Sequence, residues 1–437
     1  MNAKFDTLRN SITTPITSEE FFEKLSPVIY SIRQGHNNLR PALLKTTSRQ
    51  RANGKGIKAP IAQFEYMIDD NRLFITKNKS ADSTIQAGTE IIAINGESAQ
   101  KILQKCYSLF TSDGYNTTFF PRAVSFQYYY SIIYPEWKDS ICFSLQKNEN
   151  AREVYVKSVK ENTKLQKPNT RKLSFLTADS TVAILKISNF SLGNYRKFYK
   201  QCFATLSAAK TQTLVIDLRN NPGGSLGEIA YLYSFLTDSA FVFVDKAEIT
   251  SPFIHAFQGK SLGDFLKGKS ILLKISMTLY YPILYATYST IDLLSTSKKQ
   301  DGKYYYSYSS SKIKQPNKNR FTGKIYVLAN GGSFSASCIL LSNLQGSKRA
   351  FVVGEETGGA YNGTVAGRMT TKTLPNSKLR LTVGMQAIQP HHKSDIEGRG
   401  IFPDKEIIPT IENRINQQDP ELKWIMNQIM NNELPLH

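Results

Sequence analysis

Ser335 lies where an apolar strand pattern passes through a glycine turn into an apolar helical pattern. The strand pattern covers residues 325–328, and the helical pattern covers residues 338–344. The first backbone N–H groups of a helix have no partner within the helix, so they can stabilise an anion beside such a serine. The sequence therefore predicts a hydroxyl presented for nucleophilic chemistry, which also needs a base and an oxyanion hole.

The composition is that of a folded protein with more than one domain. The 437 residues are enough for two or three domains, and 41% of them are hydrophobic. Four cysteines lie far apart and lack the C-x-x-C spacing of zinc and thioredoxin-like sites; they are Cys106, Cys142, Cys202 and Cys338. We predict free thiols, with one or two disulfides left open, and no metal or cofactor.

The net charge of +20 raises the question of an anionic partner. The lysines and arginines are dispersed, apart from a cluster within residues 298–320. No helix-turn-helix, zinc-finger or aromatic RNA-binding signature accompanies them. We therefore expect a basic, solvated surface and no nucleic-acid partner.

Neither the N-terminus nor the longest apolar stretch predicts a membrane segment. The chain begins with polar sequence and no signal-peptide core, so it is either cytoplasmic or a mature chain whose signal was removed. Residues 271–291 contain Lys274 and Pro282, whereas a span needs about twenty predominantly apolar residues. This stretch is interpreted as a buried or lid segment.

The pattern of the chain predicts three regions. Residues 1–50 form an N-terminal helical segment, with a helix start at Thr17. Residues 51–165 are β-rich, and residues 166–437 alternate strands with helices, which predicts an α/β core. A tyrosine-rich insertion at about residues 245–320 interrupts the core, and we expect it to cover the cleft or to form a dimer contact.

A strand, an Asn95-Gly96 turn and a helix follow one another within the β-rich region. This passage resembles the core of a PDZ domain, a fold that captures peptide termini by strand addition. The carboxylate-binding glycine loop of that family is not recognisable before Phe74. A PDZ-shaped spacer that binds no peptide therefore stays open.

A second glycine turn follows the apolar strand of residues 214–218 and ends in Asn-Pro-Gly223-Gly224. Consecutive glycines permit backbone geometries that aim N–H groups at a ligand and let a substrate approach closely. A tight β-turn would explain the same residues without any function.

Together with residues 353–359, these segments resemble the tail-specific or C-terminal-processing serine peptidases, in the tricorn-core-like branch. The resemblance covers about residues 170–410 without the insertion, and it implies a crotonase/ClpP-like β-β-α core. The α/β-hydrolase elbow does not fit, since Gly-x-Ser-x-Gly would need glycine at position 335.

The resemblance implies that Ser335 is the nucleophile, with Ser333 and Ser337 as alternatives that more readily cap or line the turn. The oxyanion hole would be formed by the backbone N–H of Ala336 together with that of Gly223 or Gly224.

The family's Ser-Lys dyad places a lysine twenty-five residues after the serine, but this chain has Ala360 there and no lysine in residues 354–365. The tricorn-like branch instead uses a histidine and a glutamate. Its elements match His36, in Gly-His-Asn-Asn-Leu, and Glu397, in Glu-Gly-Arg-Gly-Ile-Phe-Pro-Asp. An imidazole is the usual base for a serine and needs a third group to orient it.

Other residues stay open as alternatives at this site. His391 and His392 are the fallback bases, since His255 lies in the insertion and His437 at the terminus. The further candidate acids are Glu355 and Glu356, while Asp404 is expected to be structural.

We therefore expect a serine-type peptidase that hydrolyses unstructured polypeptides by a Ser-His-Glu mechanism, with C-terminal tails as candidate cleavage sites. The family is usually extracytoplasmic in bacteria, so we expect a periplasmic or secreted chain, and a homo-oligomer stays open. One alternative is a catalytically inactive peptide- or ligand-binding protein of the same fold. Another is a scaffold that binds peptides through the PDZ-like region.

Overall fold

The structure is a computed structural model that describes most of the chain. The described residues are 2–41, 55–123, 126–162, 170–191, 193–249, 286–287, 290–291 and 293–431. Residues 42–54, most of the apolar stretch 271–291, His255 and His437 lie outside them.

Ten helices and twenty strands form the described part of the chain. The helices are α1 (Asn2–Asn10), α2 (Ser18–Tyr30), α3 (Ala99–Ser108), α4 (Phe119–Ala123), α5 (Phe126–Ile133), α6 (Tyr195–Ala208), α7 (Leu226–Tyr233), α8 (Ala336–Gly346), α9 (Ile411–Ile415) and α10 (Pro420–Met430). The strands are β1 (Asn38–Arg40), β2 (Lys55–Lys58), β3 (Phe64–Asp69), β4 (Arg72–Asn78), β5 (Glu90–Ile94), β6 (Glu97–Ser98), β7 (Ser140–Lys147), β8 (Asn150–Lys157), β9 (Val159–Asn162), β10 (Arg171–Phe175), β11 (Val182–Ile187), β12 (Thr213–Asp217), β13 (Ala247–Ile249), β14 (Thr296–Lys298), β15 (Tyr304–Tyr306), β16 (Lys324–Ala329), β17 (Phe351–Gly354), β18 (Thr364–Thr373), β19 (Arg380–Ile388) and β20 (Lys405–Glu406).

The central sheet confirms the predicted α/β class. Its strand order is β10-β11-β12-β16-β17-β20, and all neighbours are parallel except the antiparallel pair β10-β11. The strand at β12 is buried at all five positions, as expected of a parallel strand covered on both faces. The two glycine turns leave β12 and β16, which are adjacent, so both turns lie at the same edge of the sheet.

Helices cover both faces of this sheet. The largest apolar cluster packs α6, α7 and α8 against one face, with Phe203 stacked on Phe235 at 4.6 Å between ring centroids. On the other face α10 contributes Ile425, which is fully buried among Val215 and Tyr326. The core therefore holds α8, and with it Ser335, in a fixed position.

A second, antiparallel sheet combines distant parts of the chain. It contains β1 from the N-terminal segment, β13, β14 and β15 from the described part of the insertion, and the long hairpin β18-β19. The N-terminal segment is thus not only helical, because β1 pairs with β19. Its helix α2 begins as predicted, with a capping box between Thr17 and Glu20.

The region between the N-terminal segment and the core is a third sheet, with the order β3-β4-β5-β7-β8 and β6 on β5. The predicted strand, Asn95-Gly96 turn and helix are present as β5, a turn with both residues at positive φ, and α3. The PDZ-like assignment itself stays a prediction. No helix in the described ranges is long and apolar enough to cross a membrane.

Buried contacts join this sheet region to the core. Arg122 pairs with Glu355 in a bidentate geometry at 2.9–3.0 Å, and their side chains are 14% and 5% exposed. The ring of Phe334, directly before Ser335, stacks on Phe119 at 4.3 Å. The turn that carries Ser335 is therefore fixed partly by residues outside the α/β core.

Removal of the Arg122 side chain will destabilise the protein, because it leaves the buried Glu355 carboxylate without its partner. We expect Arg122→Met to lower the free energy of unfolding by about 3–5 kcal/mol. The matched control is Arg72→Met, which breaks the more exposed pair with Glu90 and costs about 0–1 kcal/mol. Urea unfolding followed by circular dichroism measures both, and equal losses would contradict this assignment.

Candidate active site

Ser335 has an unusual backbone conformation. Its φ of 57° and ψ of −117° place a residue other than glycine in a sparsely populated region, immediately before α8 begins at Ala336. Such a conformation costs on the order of 1–3 kcal/mol and persists only where the surroundings enforce it. It orients the serine away from the helix axis, and the side chain lines a cleft.

Close packing of Gly223 against this turn enforces the geometry. A Cβ atom at Gly223 would lie 2.7 Å from the Ala336 nitrogen and 2.8 Å from the Ser335 Cβ. The φ of Gly223 is +96°, so glycine is required there both for space and for backbone conformation. The Asn-Pro-Gly-Gly turn is thus more than a chain reversal, because it forms one wall of the site.

Two backbone N–H groups beside Ser335 are available for a ligand. In the described part of the chain, neither the Ala336 N–H nor the Gly224 N–H donates a hydrogen bond, whereas the Gly223 N–H donates to Asn221 Oδ1 at 2.9 Å. Of the two glycines that the sequence left open, Gly224 therefore has the unused donor. Both donors line the same cleft.

The two alternative serines have structural partners. The Ser333 hydroxyl donates to the Leu218 carbonyl at 2.8 Å, and the Ser337 hydroxyl donates to the Asn221 carbonyl at 3.0 Å. Both residues are fully buried, whereas Ser335 is partly exposed. Their hydroxyl groups therefore link the two glycine turns by hydrogen bonds.

His36 lines the same cleft as Ser335. Its ring packs on Phe334 at 5.1 Å between centroids, and its Nδ1 forms a 2.9 Å hydrogen bond with Thr364 Oγ1. Burial lowers the pKa of the imidazole to about 4, since desolvation penalises the charged form. His36 is therefore neutral at pH 7 and able to accept a proton.

The cleft has a volume of about 1120 Å³ and brings together five of the six predicted site residues. These are Ser335, His36, Ala336, Gly223 and Gly224. Tyr306 and Tyr308 of the insertion form part of its wall. That the insertion covers the cleft stays a prediction.

Glu397, the sixth predicted residue, lies in a neighbouring cavity of about 730 Å³. It is exposed, and its Oε1 accepts a long, 3.4 Å hydrogen bond from Asn362. Thr364 lines both cavities. Glu397 therefore lines a different cavity from Ser335, and the two cavities share Thr364, which bonds the His36 ring.

The other candidate acids are held in structural contacts. Glu355 pairs with Arg122, and Glu356 pairs with Arg399 at 2.6 Å. Asp404 accepts a 2.7 Å hydrogen bond from the Val352 amide, as expected of a structural acid.

The fallback bases lie outside the cleft. His391 bonds Asp245 through Nδ1 at 3.1 Å, and its ring contacts that of His392. Neither histidine lines the cavity of Ser335. All four cysteines are free, and the described residues contain no cluster of side chains able to hold a metal ion.

Sequence reasoning missed two residues next to His36. The hydroxyl of Thr364 donates to Asp113 Oδ1 at 3.2 Å, and the Gly35 N–H donates to the same carboxylate oxygen at 2.8 Å. Asp113 is 2% exposed and Thr364 is 7% exposed. No local pattern identifies them, because they lie 77 and 328 residues from His36 and meet it only through the tertiary fold.

The fold and the cleft define the class of protein: a hydrolase with an α/β core, a strained serine at a helix start and an imidazole in the same cleft. Comparison with protein families gives the particular family. The chain belongs to peptidase family S41, whose model matches residues 181–407. It is therefore a peptidase, and its substrates are polypeptides.

Two solved structures with TM-scores of 0.65 show the same fold at low sequence identity. Mature CPAF matches with a TM-score of 0.65 and 15% identity, over 99% of this chain and 92% of that chain. Mature CPAF complexed with lactacystin matches with the same TM-score and identity, over 99% and 93%. The photosystem II D1 C-terminal processing protease matches at a TM-score of 0.44 and 15% identity, over 94% and 89%. No curated protein matches in sequence.

Substitution of Gly223 by alanine will disrupt the serine turn. We expect Gly223→Ala to abolish peptide hydrolysis and to destabilise the protein, because the new Cβ would overlap Ala336 and Ser335. Gly96→Ala is the matched control, since Gly96 also has a positive φ, +81°, but no atom lies within 4 Å of the position that its new methyl group would take. The control should cost only about 1–2 kcal/mol of stability and leave hydrolysis intact. Peptide cleavage and thermal unfolding of both variants check this expectation.

Burial of His36 makes the stability of the protein depend on pH. In the unfolded chain this imidazole binds a proton near pH 6.5, whereas in the folded protein its pKa is about 4. Its contribution is therefore fully present above pH 6.5 and is lost as the pH falls to about 4, by about 3 kcal/mol. The unfolding free energy of the wild type minus that of His36→Gln should fall by this amount from pH 7 to pH 4.

Asp113 is present in both proteins, so its own pH dependence largely cancels in this difference. The control is His392→Gln, because His392 is only partly buried and its pKa is less strongly lowered. A flat difference for His36→Gln would contradict the buried, neutral state of this ring.

Proposed function

We propose that the protein is a serine-type peptidase in which Ser335 attacks the peptide carbonyl carbon. His36 accepts the Ser335 proton and later donates it to the leaving amine. The N–H groups of Ala336 and Gly224 stabilise the negative oxygen of the tetrahedral intermediate. No metal or cofactor takes part in these steps.

The observation that carries this proposal is the strained Ser335 backbone in a cleft shared with a neutral imidazole. Strain at a non-glycine residue is retained where function needs it. Two unused N–H donors on adjacent glycine turns support the oxyanion hole. Each removed donor of this kind typically costs about 2.7–4 kcal/mol of transition-state stabilisation.

We still propose Glu397 as the acid of a Ser-His-Glu triad. Its carboxylate lines the cavity on the far side of Thr364, so its charge would stabilise the imidazolium without a direct hydrogen bond in this arrangement. Such an interaction through space is worth on the order of 1 kcal/mol, or several-fold in rate.

The lining of the cleft favours substrates that carry carboxylates. Arg196, Lys314 and Arg368 line it, and no carboxylate of the described residues does so. This balance supports cleavage of acidic segments or of chains whose free C-terminus enters the cleft. A catalytically inactive binding protein of the same fold would keep the cleft without turnover.

Ser335→Ala should remove peptide cleavage by at least about 10⁴-fold without unfolding the protein. The measurement is hydrolysis of an unstructured polypeptide such as casein, combined with labelling by a fluorophosphonate probe and mass spectrometry of the labelled peptide. We expect the label on Ser335 in the wild type and none in Ser335→Ala.

The control is Ser309→Ala, which removes another hydroxyl from the wall of the same cleft and should leave cleavage and labelling unchanged. A wild-type protein that neither cleaves nor labels would favour the inactive binding protein instead. Cleavage that survives in Ser335→Ala would refute Ser335 as the nucleophile.

A further inference from the structure

Hydrogen bonds with residues 111–116 hold the loop that carries His36 in place. The Gly35 N–H donates to Asp113 Oδ1 at 2.8 Å, and the Thr111 hydroxyl donates to the Asn37 carbonyl at 2.6 Å. Further along, the Gly114 N–H donates to the Arg33 carbonyl at 3.0 Å. The position of the imidazole therefore depends on a segment outside the region that the family model matches.

The hydrogen bonds between His36, Thr364 and Asp113 determine which atom donates a proton in each pair. Thr364 has one hydroxyl proton, which it donates to Asp113 Oδ1 at 3.2 Å. The hydroxyl oxygen of Thr364 must then accept from His36, whose Nδ1 is 2.9 Å away. The Nδ1 atom consequently carries the ring proton, and Nε2 keeps its lone pair for the cleft that Ser335 lines.

We propose that Asp113 and Thr364 are positioning residues that hold His36 in the catalytic tautomer and orientation. This inference rests on the proposed Ser335–His36 chemistry and deepens it. During attack the Ser335 proton moves to Nε2, and no proton moves along Thr364 and Asp113. The Asp113 carboxylate stabilises the imidazolium through the polarised Thr364 hydroxyl, which donates to it throughout.

Asp113 is held as a charged group at neutral pH in spite of its burial. Burial raises its pKa to about 6, while hydrogen bonds from the Gly35 amide, Thr364 and the Ala360 amide favour the carboxylate. Its second oxygen, Oδ2, is buried and has no hydrogen bond of normal geometry within the described ranges. Burying a carboxylate whose oxygens lack some of their hydrogen bonds costs folding free energy. Such a cost is expected where the charge of the carboxylate has a functional role.

Below about pH 6 a protonated Asp113 can donate to Thr364, whose hydroxyl then turns towards Nδ1 and selects the wrong tautomer. Other charged or titratable groups face this region. They are Arg33 before the His36 loop, Lys393 and Glu397 from the loop lining the second cavity, and the Cys338 thiol of α8, which burial keeps neutral by raising its pKa.

The test compares the tautomer of His36 in variants of the full chain. In protein labelled with ¹⁵N-histidine, two-dimensional ¹H–¹⁵N spectra distinguish Nδ1–H from Nε2–H, and His36→Gln assigns the signal. We expect the Nδ1–H form in the wild type at about pH 7.5, where the imidazole is neutral. It should be lost in Asp113→Leu, which removes the acceptor of the Thr364 hydroxyl, and in Thr364→Val, and it should be retained in Thr364→Ser, which keeps the hydroxyl.

We expect peptidase activity to decrease in the same variants that lose the Nδ1–H tautomer. We expect kcat to fall on the order of 10²-fold in Asp113→Leu and Thr364→Val, with KM little changed, and to recover in Thr364→Ser. The acidic limb of the kcat/KM profile, near pH 6 in the wild type, should be absent in Asp113→Leu. The matched control is Thr371→Val on the same strand, whose hydroxyl bonds Thr382 at 2.9 Å and should be dispensable.

Glu397→Gln separates this inference from the proposed Glu397 role. Loss of the Nδ1–H form in Glu397→Gln but not in Asp113→Leu would overturn the inference. So would unchanged tautomer and pH profile in a folded Thr364→Val. Because the spectra need no substrate, a wild type with the Nδ1–H signal but no cleavage would refute the peptidase proposal alone.

Discussion

The strained, positive-φ backbone at Ser335 is the constraint on which the site depends. It holds the serine at the start of α8 and leaves the Ala336 N–H unused by the described residues. Neither the turn nor the helix can enforce this conformation alone, because it costs on the order of 1–3 kcal/mol. The contact with Gly223, in the turn after the adjacent strand β12, and the hydrogen bond from the buried Ser337 hydroxyl enforce this conformation.

The same turn connects the three regions of the chain through Phe334. Its ring contacts Phe119 of the sheet region on one side and His36 of the N-terminal segment on the other. The proposed base lies about three hundred residues before the serine in sequence and packs on the residue next to the serine. The candidate site therefore includes residues that precede the range 181–407 matched by the family model.

Much of the core could be predicted because its signals are local. The sequence pattern predicts a strand over residues 182–187 and a helix over residues 195–208, and these are the bounds of β11 and α6. For the helix after the second glycine turn the pattern predicts residues 228–236, whereas α7 covers Leu226–Tyr233. Ser225 caps the start of α7, and an apolar run continues beyond its end.

The environment of the imidazole could not be predicted in the same way. Asp113 lies in a turn of the β-rich region, and Thr364 begins a strand, so neither has a pattern of its own. Only the fold brings both to His36, while Glu397, which the family pattern suggested, lies in the next cavity. Local motifs therefore predict the turn that carries Ser335, whereas the surroundings of the His36 ring depend on tertiary structure.

The most direct test of the account is a crystal structure of the protein after reaction with a peptidyl phosphonate. The account predicts a covalent bond from phosphorus to Ser335 Oγ. One phosphonate oxygen should lie about 2.7–3.1 Å from both the Ala336 and Gly224 nitrogens, and Nε2 of His36 should face the bonded serine oxygen. An adduct on another residue, or an oxygen directed away from these two N–H groups, would contradict it.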